Sequence, residues 1–201
     1  MNRLPPLGLQ LYTVRHEMDR DARAALRLVA DIGFDGVELA GLHGVAPAEF
    51  RALLDDLGLT LVSAMIGLTG DGLAADTLEF ATAVGAPRLV VNAWETDFAT
   101  VDAIDRLAES FNRAAAQARA AGVDLGYHNH FWEFRPSAAG ANPMAEFASR
   151  LEGGFFELDR DRLHVAGQHP ERERQADDHV DEHPPPIGID QAQHAQRDEQ
   201  R

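Results

Sequence analysis

The chain has 201 residues, 45% of them hydrophobic, which suits one domain with one good core better than two. Cysteine and lysine are both absent and all 18 basic residues are arginine, which excludes disulfides, thiolate nucleophiles, Cys-based zinc sites, Schiff-base chemistry and a P-loop lysine within this chain. A formal net charge of −15 argues against nucleic acid, whose binding relies on clustered basic side chains, and no stretch reaches the roughly 18 apolar residues of a membrane span.

The opening MNRLPPLGLQLY has a strand's length and not the apolar run of a signal peptide. A cytoplasmic protein is expected by default, with a first strand starting near Leu7. Ala22, Ala25, Leu26 and Val29 then make a helical apolar stripe that Gly33 ends, and a second strand starts near Gly36. The pattern returns with Pro47 in a first helical turn, Phe50, Leu53, Leu54 and Leu57 on one face, Gly58 as the stop and a strand from Thr60. Gly85 closes the next helix before a strand at Arg88. Thr100 is the expected N-cap of a helix carrying Val101, Ile104, Ala108, Phe111, Ala115 and Ala118, which Gly122 terminates before a strand at Asp124. A sixth strand is expected near Phe155.

Successive strands are therefore about 24 to 36 residues apart, as parallel strands joined by right-handed helical crossovers require. The class is α/β, and a doubly wound open sheet and a (β/α)8 barrel share this alternation. From Val165 to Arg201 the period is lost in a polar, proline-interrupted segment, QHPERERQADDHVDEHPPP and onward. Such a segment cannot offset its ordering entropy, so residues 1–164 are expected to fold and 165–201 to be a disordered tail. The tail histidines His169, His179, His183 and His194 sit on no element that would make them metal ligands.

Chemistry belongs at the carboxyl ends of the strands, which ring the mouth of a barrel. In GYHNHFWEF, His128 and His130 are two apart and so on the same side of a strand, with Glu133 just beyond. Two converging imidazoles suit a divalent metal or a polyol's hydroxyls, and equally a pair of hydrogen-bonded core histidines. Tyr127, Phe131 and Trp132 read as packing. Asp159 closes FFELD, where it is either an oxygen ligand for a hard cation or a turn aspartate. Glu38 interrupts the apolar strand VEL and needs a partner or a wet cavity, with His43 in the loop after it. Gln10 in LGLQLY and Asn92 in LVVNAW are similar polar interruptions.

Together LGLQLYTVRHEMDRD, DIGFDGVELAG and GYHNHFWEF resemble sugar phosphate isomerase/epimerase proteins of the xylose isomerase-like TIM barrel superfamily, over about residues 7 to 165. The resemblance implies a barrel and a divalent ion (Mn²⁺, Mg²⁺ or similar) held by acidic and histidine residues. Asp159 matches the strand-six aspartate ligand and His128 lies near the strand-five ligand, usually a glutamate. His130 and Glu133 fall beside the reacting centre as catalytic candidates. Gln10, Glu38, His43, Asn92 and His130 are candidates to bind a small polyol or sugar substrate.

The implied chemistry is proton removal next to a carbonyl, giving a metal-stabilised enediolate. An inosose dehydratase-like elimination begins the same way. Family members continue through strands seven and eight, which supply a histidine and a glutamate, and neither strand is visible here. The expectation is thus an incomplete barrel of about six βα units, truncated or frameshifted near Asp159, with sheet edges able to pair into a homo-oligomer. A catalytically inactive fragment is the alternative, while the apurinic-site nuclease branch of the superfamily is disfavoured by the negative charge.

Overall fold

The structure, a computed structural model, describes residues 5–159. The expected tail at 165–201, with its four histidines, and the end of the expected 1–164 domain lie outside the described residues. Six strands, β1 (Gly8–Gln10), β2 (Gly36–Leu39), β3 (Thr60–Met65), β4 (Arg88–Val91), β5 (Asp124–His128) and β6 (Phe155–Glu157), alternate with five helices, α1 (Arg15–Ile32), α2 (Pro47–Leu57), α3 (Thr77–Val84), α4 (Val101–Ala120) and α5 (Pro143–Ala148). The strands are hydrogen-bonded in the order β1-β2-β3-β4-β5-β6. Two compact units divide these residues, one running through Ile66 and including Ala75–Leu89, the other holding Gly67–Ala74 and the chain from Val90 on.

In the first unit, the stripe of α1 buries Met18, Ala22, Ala25, Leu26 and Val29, and that of α2 buries Phe50 and Leu54. Each fully buried Leu or Phe contributes about 1.5–3 kcal/mol over an exposed one. Pro47 starts α2, where its missing N–H is no loss, and Gly58 ends it with φ of 69°. α1 starts ahead of the stripe that begins at Ala22 and is not one regular helix. Asp21 has φ −162° and ψ 94°, which breaks the helix, and its carboxylate accepts a hydrogen bond of 3.0 Å from the Ala24 N–H. Asp21 therefore caps the long second part of α1, and residues 15–20 form a short separate turn that prolongs the loop after β1.

All four residues of β2 are buried, as expected of a strand covered on both faces. It pairs in parallel with β1, Gln10 opposite Glu38. It also pairs in parallel with β3, and there the register shifts: Val37 faces Leu61 but Glu38 faces Ser63. The extra residue, Val62, is a β-bulge, and a bulge re-aims the side chains that follow it.

In the second unit, Thr100 accepts a 3.2 Å hydrogen bond from the Ala103 N–H and so caps α4. Ile104, Leu107, Ala108, Phe111, Ala114, Ala115 and Ala118 form its buried face. Val101, placed on that stripe by its spacing, is instead 42% exposed at the first position of the helix. Phe98 and Phe111 each pack edge to face on Tyr127 and Phe147 around β5, with centroids 5.6–6.3 Å apart, and Tyr127 and Phe147 lie tilted against each other at 4.8 Å. β5 and β6 are parallel, with Gly126 opposite Phe155, Tyr127 opposite Phe156 and His128 opposite Glu157.

Candidate functional site

Two groups of polar side chains stand at the carboxyl ends of strands, one in each unit. The first is built by register. Gln10, Glu38 and Ser63 occupy neighbouring positions on β1, β2 and β3, so their side chains meet. Gln10 Nε2 donates to Glu38 Oε1 at 2.7 Å and Ser63 Oγ donates to Glu38 Oε2 at 2.6 Å. Glu38 is only 7% exposed, and these two donors offset the desolvation of its carboxylate. Gln10 also lies 3.3 Å from Met65 Sδ. Sequence reasoning named Gln10 and Glu38 but not Ser63, whose place depends on the bulge at Val62.

His43 belongs to the same unit. It lies in the loop after β2 with φ of 49°, and its Nδ1 is 2.7 Å from Asp19 Oδ1. Asp19, in the short turn before the Asp21 break, was not among the candidate residues.

The second group follows β5. His128 Nδ1 is 2.9 Å from Glu157 Oε1, its opposite number on β6. With that carboxylate ionised, Nδ1 carries the proton and the lone pair belongs to Nε2, an arrangement by which carboxylates orient metal-binding histidines. The rings of His128 and His130 lie 5.2 Å apart, nearly perpendicular. His130 stacks on Trp132 at 4.1 Å with 13° between the planes, so Trp132 orients a candidate imidazole as well as packing. Asp159 is tied to the loop by its main chain, its N–H donating to Asn129 Oδ1 at 3.1 Å.

Glu133 is the other catalytic candidate of this segment. It is fully buried. Its Oε1 accepts from the Tyr127 hydroxyl at 3.0 Å, and its Oε2 accepts from the His130 N–H at 2.7 Å. His130 Nδ1 is 3.5 Å from Oε1, without hydrogen-bond geometry. Tyr127 in turn has its proton affinity pushed well up: burial is the largest cause, followed by the charge of Glu133, the hydrogen bond to it and the charge of Asp97, against a smaller lowering by a hydrogen bond from the Ala93 backbone. Asn92 stands exposed just after β4.

Among the described residues no three His, Cys, Asp or Glu side chains are grouped so as to hold a metal ion. No helix among them is long and apolar enough to cross a membrane.

Six strands following one another with helical crossovers, and polar side chains collected at their carboxyl ends, define an incomplete (β/α)8 barrel with six of its eight units among the described residues. Residues 26–179 match the family model described as xylose isomerase-like TIM barrel, and the chain belongs to that family. Among solved structures, a sugar phosphate isomerase/epimerase from Parabacteroides distasonis is 21% identical, with a TM-score of 0.68 over 88% of this chain and 73% of its own. An AP endonuclease, family 2, from Brucella melitensis is 16% identical, with a TM-score of 0.62 over 86% of this chain and 75% of its own. An L-ribulose 3-epimerase is 19% identical, with a TM-score of 0.54 over 82% of this chain and 63% of its own. No curated protein matches the chain.

Proposed function

We propose that the protein is a metal-dependent isomerase or epimerase of a small sugar, sugar phosphate or cyclitol, working by proton removal next to a carbonyl. The observation that carries this reading is the buried Glu38 carboxylate, held by Gln10 and Ser63 at the ends of three successive strands. A folding core gains little from such a group, whereas a polyol site needs fixed acceptors and donors. The fold shared with a sugar phosphate isomerase/epimerase and an L-ribulose 3-epimerase agrees with it.

In this reading Gln10, Glu38 and His43 of the first unit, and Asn92 and His130 of the second, are the residues of each that would bind substrate hydroxyls. His128 and Asp159 would hold a divalent ion, Mn²⁺ or Mg²⁺, the first of them with its Nδ1 committed to Glu157. The ion, when bound, supplies positive charge for the oxyanion that forms as the proton leaves. His130 exchanges the proton. Its ring is set by Trp132 on one face and its backbone by Glu133, whose buried carboxylate makes it a positioning residue rather than a group that touches substrate. Tyr127 holds that carboxylate in place.

Calorimetric titration of the full chain with MnCl₂, followed by solvent deuterium incorporation into D-ribulose or D-xylulose by NMR, tests the proposal. Saturable Mn²⁺ binding and exchange next to the carbonyl are expected, with exchange lost in His130→Gln. A chain that binds no Mn²⁺ and exchanges no proton is the inactive fragment instead.

A further inference from the structure

The loops after β1 and β2 carry one contact that packing does not require. Asp19 lies in the short turn that the break at Asp21 separates from the body of α1, and its Oδ1 is 2.7 Å from His43 Nδ1. Three observations set His43 apart. Its side chain is nine-tenths buried, 10% exposed, although it belongs to a loop. Its Nε2 is buried with no hydrogen-bond partner among the described residues. Its backbone is left-handed at φ 49°, between Gly41 at 101° and Gly44 at 78°. A left-handed non-glycine residue and an unsatisfied ring nitrogen both cost stability, and held strain of this kind points to a function.

We propose that Asp19 is a positioning residue that locks His43 as the Nδ1–H tautomer, so that the Nε2 lone pair accepts a hydrogen bond from a hydroxyl of a polyhydroxylated ligand. A neutral imidazole has one donor and one acceptor nitrogen, and whichever nitrogen faces a carboxylate keeps the proton. Asp19 therefore decides what His43 can recognise: a donor such as a hydroxyl, and not a carbonyl or carboxylate oxygen. Nε2 lies over Gly41, where a Cβ would stand 3.5 Å from it. Glycine keeps a side chain out of that space. The ligand class rests on the proposed function; the tautomer and its dependence on Asp19 do not.

The test is two-bond ¹H–¹⁵N NMR of the full chain labelled in its histidine rings, with His43 assigned by the loss of its signals in His43→Gln. Xylitol, a polyol with no carbonyl to react, is the probe. The expected wild-type spectrum has an unprotonated Nε2 whose resonance moves on adding xylitol. Asp19→Ala should let the tautomers interchange and weaken the xylitol response severalfold. Asp19→Asn, whose amide oxygen still accepts from Nδ1–H, should restore both. Asp19 is 65% exposed, so the fold should survive, which circular dichroism checks. A protonated Nε2 in the wild type, or a spectrum indifferent to Asp19→Ala, overturns the positioning role. Mn²⁺ broadening His43 with no response to xylitol overturns the ligand class and makes Nε2 a metal ligand. Failure of Mn²⁺ uptake and proton exchange would remove the proposed function while leaving the tautomer result standing.

Discussion

Single side chains decide the two buried carboxylates. Ser63 donates a short hydrogen bond to Glu38, and its loss takes a donor away from a buried carboxylate. Ser63→Ala should destabilise by about 1–3 kcal/mol, which for a chain this size lowers Tm by roughly 2–4 °C per kcal/mol. Ser63→Thr, keeping the hydroxyl, should recover most of it in a thermal melt. Tyr127 gives a pH-dependent counterpart. Its folded-state proton affinity is raised, chiefly by burial, so on going up through the unfolded value of about 10 the unfolded chain loses its proton first. The native state then binds more protons than the unfolded one, and stability falls with rising pH above that value while staying unaffected below it. Tyr127→Phe should remove this alkaline loss. It should also cost about 1–3 kcal/mol at neutral pH, because Glu133 Oε1 loses its donor. Melts at pH 7 and pH 10.5 separate the two effects. A variant that melts like the wild type at pH 7 would mean that Glu133 does not depend on the phenol.

At the scale of elements, the sheet depends on a close approach between β2 and β3. A Cβ on Gly36 would stand 2.6 Å from the carbonyl oxygen of Thr60, its register partner, and backbone cannot swing aside as a side chain can. Gly36→Ala should cost about 1–3 kcal/mol or more through forced separation of the strands. It should also weaken Gln10–Glu38–Ser63, which that register aligns; urea unfolding of the variant measures the loss, and an unchanged midpoint contradicts it. These elements were largely legible in the sequence. Period-3.6 stripes, Gly33, Gly58 and Gly85 as helix stops and Thr100 as a cap are local features, so each strand begins within one residue of its expected start. What escaped is not local. Ser63 reaches Glu38 only through the bulge at Val62. Asp19 meets His43 across 24 residues of chain, and Glu157 meets His128 across 29. The sequence thus named Gln10, Glu38, His43 and His128 as candidates and missed Ser63, Asp19 and Glu157, which bond to three of them.

For the whole molecule, the fold leaves open a choice that charge can make. Both a sugar phosphate isomerase/epimerase and an AP endonuclease share it, at 21% and 16% identity, and neither likeness carries an activity with it. A nucleic-acid enzyme must first approach a polyanion, and most of its affinity comes from releasing counterions with clustered Lys and Arg. This chain has no lysine, 18 arginines against 33 carboxylates and a net charge of −15. Several of those arginines are already paired within the fold, Arg51 with Asp55 and Arg150 with Asp105 and Glu146. Long-range repulsion therefore opposes duplex DNA, most strongly at low salt, where the screening length is about 30 Å at 0.01 M against about 8 Å at 0.15 M. Fluorescence anisotropy with a duplex carrying an abasic-site analogue should detect no binding at low salt, in the very conditions that tighten ordinary non-specific complexes of about 10⁻⁴–10⁻⁶ M. Micromolar binding that weakens as salt is added would reveal a basic surface hidden in the net charge, and would move the preferred substrate from a free polyol to one held in a phosphate backbone.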